Sequence, residues 1–388
     1  MVISAHGKPL LPALTGLRTF AALAVFNRHF LPDLPVSAGP LGFYFRAVRE
    51  AGVSGVCMFF ALSGFILAYS YEHLTSRREA AVKFWASRFA RIYPVYFLGM
   101  LWFAPFFLFH RYSTEQVSEA TLKAVTSFVP AAILVQAWLH PRLAMAWNGP
   151  GWSLSVEVAF YLLFPFLAPH LRTLSPRGLL KVAGVAVAVS AILSGIVPLF
   201  LPNWQYADYV VMFNPVFHLP TFIFGAALGY YFIHTRHQAE KRKFLSPVAL
   251  TAILIIALFS DSLPNLMIHN TLFLPFFGML FIALARGGYG SRFLSRPVMV
   301  LLGESSYGLY ILQYGIVLTC LFISNGMEAR DYYADILALH ASSFASYTAL
   351  LVIAYTISIF IFKTFESPLR IRLRSKIIEV LLPVSKEQ

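Results

Sequence analysis

Apolar stretches long enough to enter a membrane recur from one end of this 388-residue chain to the other, and that recurrence constrains its fold more than anything else. A helix needs about 20 mostly apolar residues to cross the hydrocarbon of a bilayer. Ten such runs can be read: Leu14–Leu31, Val53–Tyr71, Pro94–Phe109, Trp152–Ala168, Leu179–Leu201, Phe213–Ile233, Val248–Asp261, His269–Ala285, Tyr307–Ser324 and Ser343–Phe362. Hydrophobic residues make up 58% of the chain and charged ones 12%, with a mean hydropathy of +0.69. That balance excludes a soluble globular domain. The expected fold is all-α: a polytopic membrane bundle of about ten spans forming a single integral-membrane domain over residues 1–388. The 37 Phe and 19 Tyr suit lipid-facing surface and interfacial belts.

The net charge of +13 does not point to nucleic acid, because the basic residues gather in short segments between apolar runs. Arg77, Arg78, Lys83, Arg88 and Arg91 form one such segment, and Arg172, Arg177 and Lys181 another. Arg236 with Lys241, Arg242 and Lys243 follows, then Arg286, Arg292 and Arg296, then Arg370, Arg372, Arg374 and Lys376. All can be cytoplasmic, as the positive-inside rule favours, provided that residues 124–139, broken by Pro130 and Gln136, re-enter or lie in the interface. The connection at 325–342 then holds Arg330 against Glu328, Asp331 and Asp335. Both termini fall in the cytoplasm, with a tail from about 363 and a long outer segment from about 110 to 151. A fully crossing 124–139 gives an eleven-span alternative. Cys57 and Cys320 lie in apolar runs and suggest neither a disulfide framework nor a metal site. Residues 1–13 lack the pattern of a cleavable signal, so the first span is expected to stay.

Four clusters carry chemistry. In the first run Arg18 and His29 are eleven residues apart, which is three turns plus roughly 20°, so they share a helix face about 16 Å apart along the axis. Ionisable residues inside a span usually face a protein interior or a wet cavity, and the pair suggests a polar track. Taken singly, Arg18 also fits a snorkelling residue and His29 an interfacial one. Arg88 and Arg91 share a face just before Pro94, which is expected to end or redirect their helix. They read either as a positive-inside cluster or as a socket for phosphate oxygens, which guanidinium forks match well. Glu157 stands inside an apolar run and either pairs with a neighbouring Arg or His, or joins His29 near the outer side to orient its imidazole. Trp152, Ser153 and Ser155 precede it and could stack on and hydrogen-bond an acceptor. Last, Glu304 and Ser305 are placed to cap the ninth span, and Ser306, Tyr307, Tyr310 and Gln313 form a polar stripe that suits a helix seam equally well.

In sequence order, PALTGLRTFAALAVFNRH, FFALSGF at 59–65, RFARIYP at 88–94, GWSLSVE at 151–157, SSYGLYIL at 305–312 and FESPLR at 365–370 resemble the acyltransferase-3 family of bacterial membrane O-acyltransferases. The resemblance covers nearly the whole chain. It implies transfer of an acyl group, usually acetyl, from cytoplasmic acyl-coenzyme A to a hydroxyl on an outer-side acceptor, without a metal. Carried over to matching positions, it makes His29, Glu157 and Arg18 catalytic. Arg18, Arg88, Arg91 and Ser63 become coenzyme-binding, and Trp152, Ser153, Tyr307 and Tyr310 acceptor-binding. Gln313 stands where many relatives carry a His, which puts a second histidine's role in doubt here. The acceptor so implied is a cell-envelope glycan or lipid-linked sugar, the location the bacterial cytoplasmic membrane, and the surrounding partners lipids. No hydrolase-like domain is expected after the last span. Two other readings use the same track: an exporter of a small anion or acylated metabolite, against which the lack of a convincing internal repeat counts, and a non-catalytic coenzyme sensor.

Overall fold

The computed structural model describes residues 11–32, 39–200, 206–237, 244–263, 265–325 and 343–382. Lys241, Arg242, Lys243, Glu328, Arg330, Asp331 and Asp335 of the topology argument lie outside them. Every regular element among the described residues is helical. This is what a bilayer demands, since a helix satisfies its backbone hydrogen bonds internally.

In chain order the helices are α1 (Pro12–Phe30), α2 (Pro40–Ala51), α3 (Ser54–Ser70), α4 (Arg78–Thr114), α5 (Val117–Ala132), α6 (Pro141–Ala144), α7 (Gly151–Thr173) and α8 (Pro176–Phe200). There follow α9 (Ala207–Phe213), α10 (Pro215–Thr235), α11 (Leu245–Leu258), α12 (Asn265–Asn270), α13 (Leu274–Ala285), α14 (Ser291–Leu294) and α15 (Pro297–Asn325). The chain closes with α16 (Phe344–Ile361), a π-helical turn (Phe362–Glu366) and α17 (Ser367–Leu381). All ten apolar runs are helical. Seven helical stretches are long and apolar enough to cross a membrane, and the α2–α3 pair, bent by 40°, makes an eighth. The other two runs fall short for physical reasons: α11 has only 14 residues, and α1 carries Arg18, Arg28 and His29. The chain is an integral-membrane helical bundle.

Helix α10 packs broadly along both α3 and α8, and two helix pairs in the core depend on glycine. The first is α3 against α10, and the second α1 against α15. Both rest on bare backbone meeting backbone, the packing device that works where lipid tails remove the hydrophobic drive. A Cβ on Gly225 of α10 would sit 1.8 Å from the Ala61 carbonyl oxygen of α3, and one on Gly303 of α15 would sit 1.9 Å from the Thr15 carbonyl oxygen of α1. No side chain fits at either place.

The segment after α4 does not cross. Helix α5 stops at Ala132 and the chain turns back through Leu134 and Trp147, both at positive φ. Two of its buried amides donate inward: Gln136 to the Gly151 carbonyl at 3.0 Å, and Asn148 to the Ile311 carbonyl at 3.0 Å. The segment thereby ties the start of α7 to the middle of α15.

Two expectations need correction, and the tail gains a structure. Pro94 does not end its helix; α4 runs unbroken for 37 residues through Pro94 and Pro105. The Tyr307 hydroxyl reaches in at that turn to donate to the Ile92 carbonyl at 2.5 Å, where a proline weakens the backbone ladder. Glu304 and Ser305 cap nothing, because α15 already begins at Pro297, a residue pre-set for a first helical turn. Residues from about 363, expected as a tail, carry on from α16 through the π-helical turn as α17, which packs against α4.

Gly225→Ala should lower the melting temperature of the purified protein in detergent, equivalent to at least about 1–3 kcal/mol of overpacking. Gly184→Ala on α8, where an added Cβ meets nothing within 4 Å, should be neutral or slightly stabilising. Equal tolerance of both would contradict the close α3–α10 contact.

Candidate active site

A cavity of about 560 Å³ opens between α1, α3, α4, α7, α15 and α17. Its walls change character along their length. Arg88, Arg91, Arg370 and Arg374 gather with Ser70, Ser87 and Ser375 toward one end; Phe59, Phe60, Leu154, Ser153 and Tyr310 lie toward the other, and Arg18, Glu157 and Tyr161 also line it. Arg88 and Arg91 line it together because three residues of helix bring them to one face, as the sequence suggested.

Glu157 sits among these arginines. It accepts from the Ser63 hydroxyl at 3.1 Å and from the Tyr161 hydroxyl, one helical turn further along α7. Arg18 and Arg88 are both within electrostatic reach of it. A carboxylate has no arm to snorkel with, so at membrane depth it needs donors and counter-charges around it. It finds both. The guanidiniums are also held by rings: Arg18 lies 5.9 Å from the Phe59 centroid, and Arg88 lies 5.5 Å from Tyr71 and 5.9 Å from Tyr161. Arg88 additionally donates to the Tyr71 hydroxyl at 3.4 Å, while its Nε, buried, has no hydrogen-bond partner among the described residues.

His29 is elsewhere. It is not on the cavity wall; its Nδ1 lies 2.7 Å from the Tyr314 hydroxyl, and its ring packs on those of Tyr314 and Phe30. The expected pairing of Glu157 with His29 is therefore not made; Ser63 and Tyr161 hold Glu157 instead. The link between His29 and the cavity is α15. Tyr310 lines the cavity and donates to Ser153 Oγ at 2.7 Å, and Tyr314 is one turn, roughly 6 Å, further along.

Tyr307 and Ser153 are also on the wall. Trp152 is not: it is buried among Phe60, Phe213, His218 and His269. A stacking platform needs an open face, and neighbouring rings crowd this one. Gln313 is fully buried and donates to the Tyr310 carbonyl at 2.9 Å. Sequence reasoning missed Tyr161, Tyr71 and Tyr314 and gave Arg370 and Arg374 no role. The signal for Tyr161 and Tyr314 was present, each standing four residues after a residue already singled out.

A helical membrane bundle with a cavity lined by arginines and a half-buried carboxylate is the class these features define. The model of the acyltransferase domain family matches residues 11–363, and the chain belongs to that family. Among curated relatives, the acyltransferase MdmB of Streptomyces mycarofaciens is 38% identical over 184 residues, 46% of this chain and 45% of its own. The peptidoglycan O-acetyltransferase OatA of Listeria monocytogenes is 25% identical over 332 residues, 80% of this chain and 50% of its own. The O-acetyltransferase OatA of Staphylococcus aureus is 22% identical over 328 residues, 79% of this chain and 50% of its own. The chain thus spans about half the length of the curated relatives it matches. No solved structure matches it.

Glu157→Gln and Tyr161→Phe should each lower stability by about 1–2 kcal/mol. In a double-mutant cycle the two should couple by at least about 0.5 kcal/mol. Additive losses in thermal melts would show that the Tyr161–Glu157 contact carries nothing.

Proposed function

We propose that this protein is a membrane O-acyltransferase. In this reading it moves an acyl group, most simply acetyl, from acyl-coenzyme A on the cytoplasmic side to a hydroxyl on the outer side. The acceptor is a cell-envelope glycan or lipid-linked sugar, and the site is the bacterial cytoplasmic membrane with both termini inside. One observation carries the proposal: the cavity runs from an arginine-rich mouth to Tyr310, one helical turn from the His29–Tyr314 pair.

Each end has a task. Arg88 and Arg91 hold the donor's phosphates by charge-assisted forked hydrogen bonds. The pantetheine arm extends inward along the roughly 16 Å that separates Arg18 from His29 on α1. Ser63 and Tyr161 hold Glu157 in place by hydrogen bonds, within electrostatic reach of Arg18 and Arg88. At the inner end Ser153 and Tyr310 offer hydroxyls to the acceptor, while Tyr307, also read as acceptor-binding, lies nearer Arg91 with its hydroxyl on the Ile92 carbonyl.

His29 acts as general base. It takes the proton of the acceptor hydroxyl as that oxygen attacks the thioester carbonyl. The C–O bond forms, the C–S bond breaks, and the coenzyme thiolate leaves and regains a proton from the imidazolium. Contact with the Tyr314 hydroxyl fixes the ring orientation that this requires. Base catalysis of this type contributes about 10²–10⁴ in rate.

Purified protein supplied with labelled acetyl-coenzyme A and a panel of glycan acceptors should release thiol and label an acceptor. His29→Ala should lose about 10²–10⁴ of that rate while binding coenzyme A as before. Wild-type transfer by His29→Ala would overturn the base assignment. Coenzyme binding without turnover on any acceptor would indicate a sensor, and movement of an anion across vesicles without chemistry an exporter.

A further inference from the structure

The C-terminal helix was read from the sequence as a cytoplasmic tail, yet a full stripe of it faces the cavity. Ser367, Arg370, Ile371, Arg374 and Ser375 all line the wall, and their spacing of three, four, seven and eight residues places them on one side of α17. Arg370 and Arg374 are half-buried, whereas Arg372 and Lys376, off that stripe, are exposed, as are Ile371 and Ser375 at its edge. The π-helical turn at Phe362–Glu366 precedes the stripe, and such turns recur at functional sites. Arg370 and Arg374 lie beyond residues 11–363 matched by the family model.

The charge balance there is lopsided. Five arginines line the cavity, namely Arg18, Arg88, Arg91, Arg370 and Arg374, against the carboxylates of Glu157 and Glu304. Glu366 lies in the π-turn, 1% exposed, with neither carboxylate oxygen hydrogen-bonded among the described residues. It is within electrostatic reach of Arg91, Arg18 and Arg370. Arg370 in turn feels both Arg91 and Arg88 as like charges. Among the described residues, none of the five guanidiniums has a carboxylate oxygen within 4.0 Å. The Nε atoms of Arg88 and Arg374 are both buried without a hydrogen-bond partner. Like charges crowded at a cavity wall with donors unspent call for an anion with several oxygens.

We propose that α17 is the second jaw of a phosphate clamp, in which Arg370 and Arg374 face Arg88 and Arg91 across the cavity mouth and grip the phosphates of a nucleotide-bearing ligand. Glu366 is the internal counter-charge that keeps this cluster tolerable when no anion is bound. The clamp rests on the donor reading above for the identity of its ligand, but not for its chemistry, which any adenosine bisphosphate shares.

Equilibrium binding to the purified full chain tests it with three probes: coenzyme A, adenosine 3′,5′-bisphosphate, and pantetheine, which lacks phosphate. Arg370→Gln and Arg374→Gln should each weaken coenzyme A and the bisphosphate about tenfold and leave pantetheine unchanged. Arg370→Lys, which keeps the charge without the fork, should fall between, and Arg372→Gln, with the same charge change on the exposed side, should match wild type. If Arg88→Gln weakens coenzyme A while the α17 variants bind as wild type does, the clamp falls and the donor reading stands. If the bisphosphate depends on Arg370 and Arg374 but no acyl group is transferred from coenzyme A, the clamp stands and the donor reading falls. Binding of neither phosphate probe by the wild-type protein would overturn both.

Discussion

Everything in this bundle answers to one constraint: an arginine taken into a low-dielectric interior must be given counter-charge, rings or water, or it will not stay there. Arg18 and Arg88 are met by Phe59, Tyr71, Tyr161 and, at longer range, Glu157. Glu157 is itself held by Ser63 and Tyr161. The helices α1, α3, α4 and α7 are thereby joined at one level by polar contacts. The glycine seams at Gly225 and Gly303 join helices by close backbone approach. The seams let helices come close enough for short polar side chains to meet, and the polar contacts keep a cavity open between helices that would otherwise pack shut.

The same constraint gives the site its direction. Guanidiniums crowd one end, where an anion can enter from water. Toward the other, neutral hydroxyls and rings take over, with Ser153 and Tyr310 on the wall and Tyr314 holding His29 one turn beyond. The segment between α4 and α7 locks this second end: Gln136 and Asn148 bond the backbone of α7 and α15, so the turns carrying Ser153 and Tyr314 have fixed neighbours. A polar donor and a polar acceptor arriving from opposite sides of a membrane need such an arrangement.

Much of the fold was legible in the sequence because bilayer physics is legible. Apolar runs give helices, and each of the ten did. Spacing along a single helix was equally readable, as Arg88 and Arg91 show by lining one cavity. What failed was inference between helices. Glu157 was paired with His29 on an estimate of depth alone, but depth does not tell which helix lies alongside, and hydroxyls of Ser63 and Tyr161 hold it instead. Trp152 was read as a platform because Trp is a frequent one, whereas its neighbours His218 and His269 come from distant α10 and α12. Arg370 and Arg374 were hidden in a run of four basic residues whose charge alone suggested a tail; only the return of α17 onto α4 turns two of them inward. Pro94 was over-read, since a neighbouring hydroxyl can service a proline turn inside a long helix.

The account stands on donor and acceptor using opposite ends of one cavity. Vesicles carrying the protein in a single orientation, with labelled acetyl-coenzyme A confined to one side and a glycan acceptor to the other, address that directly. Acyl transfer should occur when the donor is on the side of Arg88 and Arg91 and the acceptor on the side of His29. It should vanish when the two are exchanged. Transfer at equal rates in both arrangements, or only when donor and acceptor share a side, would contradict it.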